Sequence, residues 1–413
     1  MKTEIISIGT EITSGQNLDT NSQWLSQRLA EIGIPVAFHT TVGDDVADNL
    51  DVFRAALART ELIISTGGLG PTLDDLTREV VAQVVGVELV FHEPSWRHIQ
   101  ELFAKRLRHL PERNRVQAMI PLGAESLFNP VGTAPGIWMN IGAKIIAAMP
   151  GVPSEMYRMF QDQVRPRLQA LGMGGGVIVQ RKINVFGAGE SAVEEKLKDI
   201  TRRGAVPEVG ITASDAVISL RILARANTSE EALAMCAPVE RIIRERLGNL
   251  VYGVENEELQ DVVMRLLAEK QLSVATAESM TAGLVAHKLA QVPGASKHLR
   301  GGIVCYDNRV KIELVGANAE LVEAANGVSG GVAGLLAEGA RTKLHADLGL
   351  SVVGYAGPEA GGPSNPVGMT FVGLAWSGGV KIHSFIWPGN RVEIQGRAAR
   401  MALNSLRLHL LGE

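Results

Sequence analysis

Cysteine is scarce: Cys236 and Cys305 are the only two in 413 residues, far apart and each set among apolar neighbours. That leaves no disulfide framework and no thiolate metal site. No apolar run reaches the roughly 18 residues needed to span a bilayer. Glu4 and Glu11 also interrupt the amino-terminal stretch where a signal peptide would keep its apolar region. The expectation is a soluble cytoplasmic protein. An excess of positive charge is missing too, since 40 Lys and Arg against 44 Asp and Glu leave a net charge of −4. No bulk field therefore favours a nucleic acid or an anionic membrane surface. What the chain does have is apolar residues, 46% against 20% charged, enough for sizeable cores. Its 45 glycines fall at the ends of apolar runs rather than in low-complexity tracts, which points to glycine-rich loops.

At about 150 residues per domain the length suggests about three domains, and the pattern divides in three. In residues 1–170 strands alternate with helices: strands near 3–8, 36–41 and 61–65, helices near 21–32, 46–57, 73–84 and 154–170. Strict alternation implies a mostly parallel sheet with helices on both faces and a ligand site at the carboxyl ends of the strands. After the hinge Gly172-Met173-Gly174-Gly175-Gly176, residues 176–253 read as strand, helix, two strands and a long helix near 229–247. This is a small α+β layer without the aromatic pair or basic cluster of a strand-bound RNA site. Residues 256–413 again alternate, with strands near 272–277, 303–306, 350–354, 369–376 and 381–387 and helices near 259–269, 281–291, 331–344 and 391–411. The fold class is α/β, with two doubly wound α/β domains joined by a small α+β domain.

Two regions carry residues suited to chemistry. In the first, Thr66-Gly67-Gly68-Leu69-Gly70-Pro71-Thr72-Leu73-Asp74-Asp75 joins a strand to a helix. Backbone N–H groups there can cradle a phosphate, while Asp74, Asp75, Glu11 and Asp44 can hold a divalent cation against it. Thr72 and Asp75 equally fit a helix capping box, and both readings stand. The loops Gly132-Thr133-Ala134-Pro135-Gly136 and Pro150-Gly151-Val152-Pro153-Ser154-Glu155 add to that strand-end group or are plain turns. In the last region, Ala277-Glu278-Ser279-Met280-Thr281 sets a serine where a buried strand meets a helix. It is a nucleophile at the helix's positive end or an ordinary N-cap. A nucleophile needs a base. His287 and His298 lack an acid partner, whereas Lys311 becomes one if burial or a cationic neighbour such as Arg309 depresses its pKa. The glycine-rich loop 354–362 suits close backbone approach to a ligand, and Arg391 opens the last helix where it can meet a phosphate.

Taken in order, Gly9-Thr10-Glu11-Ile12, Asp19-Thr20-Asn21, Val42-Gly43-Asp44, residues 66–75, Asn114-Arg115-Val116-Gln117-Ala118, residues 132–136, Pro150-Gly151-Val152-Pro153-Ser154-Glu155-Met156, Gly187-Ala188-Gly189-Glu190-Ser191, residues 277–281, residues 301–308 and Ala356-Gly357-Pro358 resemble the competence/damage-inducible CinA family over essentially the whole chain. The resemblance implies a molybdopterin-binding-like domain at 1–170, a KH-type domain at 176–253 and, at 256–413, a domain similar to PncC, the nicotinamide mononucleotide (NMN) deamidase. It implies hydrolysis of NMN to nicotinic acid mononucleotide and ammonia, with Ser279 as nucleophile and Tyr306 and Lys311 as base and relay. Substrate then falls on Thr281, Gly283, Asn308, Gly354, Ala356, Gly357 and Arg391, and no metal is required.

For the first domain the resemblance implies ADP-ribose pyrophosphatase activity with Mg²⁺ or Co²⁺. The nucleotide would lie on Gly9, Asn21, Gly67, Gly68, Gly70, Thr72, Gly132 and Thr133, and the metal on Glu11, Asp44, Asp74 and Asp75. The expected partners are these small nucleotides and a second copy of the chain, with neither membrane nor nucleic acid. The sequence departs from the family pattern at Met280, usually cysteine, at Ala282, usually glycine, at Gly330, usually glutamate, at Val353, usually a hydroxyl residue, and at Gln395 and Gly396, where arginine is frequent. The rival reading is therefore a nucleotide-binding regulatory protein whose carboxyl-terminal site is inactive.

Overall fold

A computed structural model describes residues 1–413 apart from Arg108 and Ser364. The chain packs as two compact units, Met1–Val179 with Ala224–Ala234, and Gln180–Leu223 with Met235–Glu413. No helix among the described residues is long and apolar enough to cross a membrane.

In the first unit a six-stranded sheet runs in the order Val36–Val42, Thr3–Ile8, Leu62–Thr66, Lys144–Met149, Gly136–Ile141, Glu125–Leu127. The first four strands are parallel, and the remaining pairs are antiparallel. Side-chain alternation along the strands splits the apolar residues between two faces. Ile5, Leu62, Ile64 and Ala147 meet Leu25, Leu29, Met156 and Phe160, whereas Ile6, Ile63, Ile146 and Ala148 meet Phe53, Ala56, Val80 and Val81. Helices Thr20–Ala30 and Pro153–Met159 thus cover one face, and Val46–Arg59 and Thr77–Val85 the other. Each large apolar side chain so buried contributes about 1.5–3 kcal/mol. The expected helix over 154–170 contains a π segment, Phe160–Val164, just before Pro166. A proline has no N–H to return to the preceding turn.

The helix expected from 73 starts at Thr77. Asp75 folds back instead, accepting the N–H groups of Gly70 (2.7 Å) and Thr72 (2.8 Å), and closes residues 70–75 into a turn. It caps no helix, because the N-cap is Leu76, with no side-chain bond.

The small α+β layer is a four-stranded sheet in the order Glu208–Ser214, Val217–Ala226, Val177–Phe186, Val251–Val254, with helices Glu190–Leu197 and Ser229–Leu247. The carboxyl-terminal sheet runs Leu299–Val304, Val274–Glu278, Leu348–Gly354, Met369–Trp376, Gly379–Ile386. Its first three strands are parallel and the last two antiparallel. Val274, Leu350 and Val352 pack on Val263, Leu267, Ala399 and Leu403 from helices Leu259–Lys270 and Arg391–Leu411. Ala275, Ala277 and Val353 pack on Val332, Leu336 and Ala340 from helix Gly330–Lys343. The strand expected at 303–306 ends at Val304, so Tyr306 lies beyond it.

Candidate functional site

Glu278, last in its strand and buried, builds the turn that carries Ser279. Its carboxylate accepts the N–H groups of Gly283 (3.1 Å), Val285 (2.9 Å) and Ala286 (2.8 Å). Ala282 and Gly283 adopt φ of 50° and 97°, curling the chain so that Ala282 N–H reaches Ser279 O at 3.0 Å. Ser279 N–H pairs with Val352 O at 2.9 Å, and from the last helix Gln395 donates to Met280 O at 2.6 Å. Every bond in this set fixes the serine, which is 7% exposed.

The same bonds overturn one expectation. The following helix begins at Leu284, not 281, and its leading N–H groups are already taken by Glu278, so they are not available to an oxyanion. Nor do Thr281 and Gly283 line the cleft. Thr281 is buried with its hydroxyl unpartnered, and the Gly283 amide belongs to Glu278.

A cleft of about 790 Å³ opens at the carboxyl ends of the parallel strands. It brings together Ser279, Tyr306, Asn308, Lys311, Gly354, Ala356, Gly357 and Arg391. Asp307 caps the short helix Asn308–Glu313 by accepting Arg309 N–H at 2.8 Å. Positions three apart share a helix face, so Lys311 Nζ meets Asn308 Oδ1 at 2.9 Å.

Lys311 is 2% exposed. Burial pushes its pKa below the ordinary lysine value, opposed by Cys305 and Asp307. Arg309 is no cause of that shift; it is exposed and paired with Asp307 at 3.3 Å. The same burial pushes the Cys305 thiol up to about 11. Tyr306 is 55% exposed, and its hydroxyl accepts from Arg391 at 2.5 Å. The other arm of Arg391 donates to Gly357 O at 2.6 Å. Arg391 thereby ties the glycine-rich loop to Tyr306, and Tyr306 is bonded to Arg391 rather than to Lys311.

Two contributors went unassigned in the sequence. Glu278 stood inside the motif without a role. Gly327, at φ 74°, lies where an added Cβ would come within 1.9 Å of Asn308 Oδ1 and 2.5 Å of Lys311 Nζ, so only glycine admits that pair. The dipeptide Asn326-Gly327 was its signal, a turn that calls for positive φ. The departures from the family pattern lie mostly in packing. Met280 is 3% exposed and Val353 fully buried, the Met280 sulfur sits against Gly354, and Gly330 faces Ile382 and Phe371.

At the carboxyl ends of the first sheet a second cleft, of about 520 Å³, collects Gly9, Glu11, Asp44, Gly67, Gly68, Gly70, Asp74, Asp75, Thr133 and Glu155 among its walls. At Gly9, Gly70 and Gly132 the room expected for a phosphate is taken by the protein's own acids. A Cβ at Gly9, Gly70 or Gly132 would strike the carboxylate of Glu11 (2.6 Å), Asp75 (2.5 Å) or Glu155 (2.2 Å). Their absent side chains admit the protein's own acids. Four amides are also engaged: Gly9 with Val42 O, Gly67 with Met149 O, Gly70 with Asp75 and Gly132 with Asn129.

Beneath the loop, Thr77 donates to Gly67 O, while the buried Arg78 donates to Leu69 O (2.7 Å) and Gly70 O (2.9 Å). The Gly68 N–H lies on the side of its trans peptide opposite the held Gly67 carbonyl. Asn21, Thr72 and Gly132 are not cleft walls. Asn21 instead donates to Thr66 Oγ1 and Gly151 O, and the Thr72 hydroxyl donates to Asp75. Glu11, Asp44, Asp74 and Asp75 share the cleft, yet no three His, Cys, Asp or Glu side chains among the described residues converge into a ready metal cage. A cation held by one or two carboxylates plus substrate oxygens fits this donor set.

The probable molybdopterin binding domain model matches residues 4–170, the damage-inducible protein CinA KH domain 180–253, and the CinA C-terminal domain 256–410. A CinA-like protein of Dictyoglomus thermophilum is 44% identical over 411 residues, covering 100% of both chains. A putative competence-damage inducible protein of Caldicellulosiruptor bescii is 40% identical over 411 residues, again covering 100% of each. Among solved structures, a CinA protein of unknown function from Thermoplasma acidophilum is 32% identical, covering 40% of this chain and 98% of that one, with a TM-score of 0.38.

Proposed function

From the premise that the chain belongs to the CinA family, we propose that its carboxyl-terminal cleft hydrolyses the carboxamide of nicotinamide mononucleotide, giving nicotinic acid mononucleotide and ammonia. The observation that carries this reading is Lys311, buried in the cleft that Ser279 lines, with the neutral amide oxygen of Asn308 as its hydrogen-bond acceptor. A lysine whose ammonium form is disfavoured by burial more readily presents the neutral amine that takes a proton. Ser279 Oγ attacks the carboxamide carbon as its proton passes to Lys311, and that proton then goes to the departing nitrogen, which leaves as ammonia. Water, deprotonated by the same amine, cleaves the acyl ester and restores the serine. Asn308 accepts Lys311 through its oxygen, so its NH₂ group remains a donor for the substrate carbonyl. Arg309 and Arg391 supply cationic donors for the 5′-phosphate.

Purified protein incubated with the mononucleotide is expected to release ammonia, and Ser279→Ala to abolish the release. Undiminished release by the variant removes the mechanism. Absence of release from the native protein, with the nucleotide bound, favours the regulatory alternative.

A second reading is favoured by the acid-rich cleft: cleavage of the pyrophosphate of ADP-ribose in the first unit. Glu11, Asp44 and Asp74 would hold a divalent cation there, Mg²⁺ or Co²⁺, which when bound polarises phosphoryl oxygens. Asp75 braces the loop, and Thr133 lines the wall. Turnover dependent on added metal and lost in Asp74→Ala is the expected result.

A further inference from the structure

A smaller cavity, of about 160 Å³, adjoins the acid-rich cleft of the first unit and shares Thr133 with it. Its other walls include His92, Ser95, His98, Ser126 and Phe128. On its floor the hydroxyls form a relay: Ser95 Oγ is 2.8 Å from His92 Nδ1 and 3.0 Å from Ser126 Oγ. The Ser95 N–H also points at His92 Nδ1, at 3.3 Å, which makes Nδ1 the acceptor and leaves the proton on Nε2. His98 donates through Nε2 to Asn129 O at 2.8 Å, so its Nδ1 is the acceptor.

At the rim stands Phe128, 52% exposed and edge-on to the His98 ring at 4.6 Å. Its backbone is held on both sides by Gln163, which accepts its N–H at 2.8 Å and donates to its carbonyl. An aromatic ring on a held backbone, half open to solvent, over a pocket lined by hydroxyls and imidazoles, has the features of a stacking platform. The volume suits a single ring system and not a whole nucleotide.

We propose that this annex binds the heteroaromatic ring of a ligand whose phosphate-bearing part occupies the adjoining acid-rich cleft. Phe128 stacks on the ring, His98 meets its border, and the Ser95–Ser126 hydroxyls read its edge. The inference rests on the second reading of that cleft, since Thr133 belongs to the walls of both cavities.

The test measures calorimetric binding of three probes, adenosine, Mg²⁺-pyrophosphate and Mg²⁺-ADP-ribose, to the full chain and to Ser126→Leu, which fills the pocket, and Phe128→Ala, on its exposed rim. Each variant is expected to weaken ADP-ribose binding about tenfold while leaving pyrophosphate binding unchanged. ADP-ribose binding equal to that of the native chain in both variants, with pyrophosphate bound normally, overturns the annex and leaves the cleft reading intact. If the native chain binds no pyrophosphate, the cleft reading fails, and adenosine decides: binding lost in both variants supports the annex, and no binding overturns it.

Discussion

The carboxyl-terminal and amino-terminal sheets share the order of their first three parallel strands, but their clefts differ in charge. In each, the first strand lies between the next two parallel strands: Thr3–Ile8 between Val36–Val42 and Leu62–Thr66, and Val274–Glu278 between Leu299–Val304 and Leu348–Gly354. A chain that leaves the first strand to one side and then the other opens a crevice at the carboxyl ends, and each cleft lies there. The side chains then diverge. Glu11, Asp44, Asp74, Asp75 and Glu155 line the first cleft, with no Lys or Arg among the described walls. The second holds Arg309, Lys311 and Arg391 against Asp307 and Glu359. Topology selects the place, and charge selects the chemistry. A phosphate entering the first cleft needs a cation brought with it, whereas the second offers guanidinium groups of its own.

The sharpest way to break this comparison is to disable one cleft and assay both. Ser279→Ala is expected to cut ammonia release from the mononucleotide by about a thousandfold or more while metal-dependent cleavage of ADP-ribose continues. Asp74→Asn, or a chelator, should do the reverse. Loss of both activities in either variant would show that the charge difference does not separate two functions. Glu278→Gln comes next. Its amide would turn a donor toward one of three backbone N–H groups, and the expected cost is about 2–3 kcal/mol, read by urea unfolding, with the serine turn loosened. A smaller change would mean that the turn is held chiefly by the Gln395 and Val352 bonds.

The residues show why the sequence revealed the sheets better than the sites. Alternating isoleucines such as Ile5, Ile6, Ile63 and Ile64 sort themselves between two cores by position alone, so strands and covering helices were legible. The Ser279 cleft was legible too as a set of loops at strand ends. What escaped was which partner each polar group chooses. Thr72 and Asp75 have the spacing of a helix cap, yet Asp75 turns back to Gly70. The glycines at 9, 70 and 132 admit carboxylates from two to twenty-three residues away in the chain, a close approach that no local pattern encodes. Gln395 read as the loss of an arginine, and in the fold it holds the nucleophile's turn.

Acidity gives a subtler comparison, because only the second cleft contains a buried cation-forming group among its walls. Since burial lowers the Lys311 pKa, the unfolded chain binds more protons than the folded one between the lowered value and the unfolded value of about 10.4. Stability should therefore rise with pH through that window. Lys311→Met, which fills the same space without a charge, should flatten the rise in a series of denaturant midpoints. Ammonia release by the native chain should climb with pH through a midpoint below about 10.4, as the amine loses its proton. A stability curve identical in both proteins would place the Lys311 amine in a water-like environment, and the cleft would lose its base.

The smallest effect is expected where the chain departs from its family at Met280. The sulfur packs against Gly354 and accepts weakly from Thr370 at 3.9 Å, within a core that also includes Val352 and Val372. Met280→Cys removes two heavy atoms from that core and opens a void, so a loss of about 1–2 kcal/mol is expected from thermal unfolding. The backbone oxygen that Gln395 holds is untouched by the change, and so is the N–H of Ser279. Ammonia release should accordingly stay within about twofold of the native value, because Met280, although it borders the cleft beside Ser279, keeps its side chain almost wholly buried and so alters packing before it alters reactivity. A large gain on restoring cysteine would contradict this. The methionine would then be what silences the cleft, and the regulatory reading would replace the amidase.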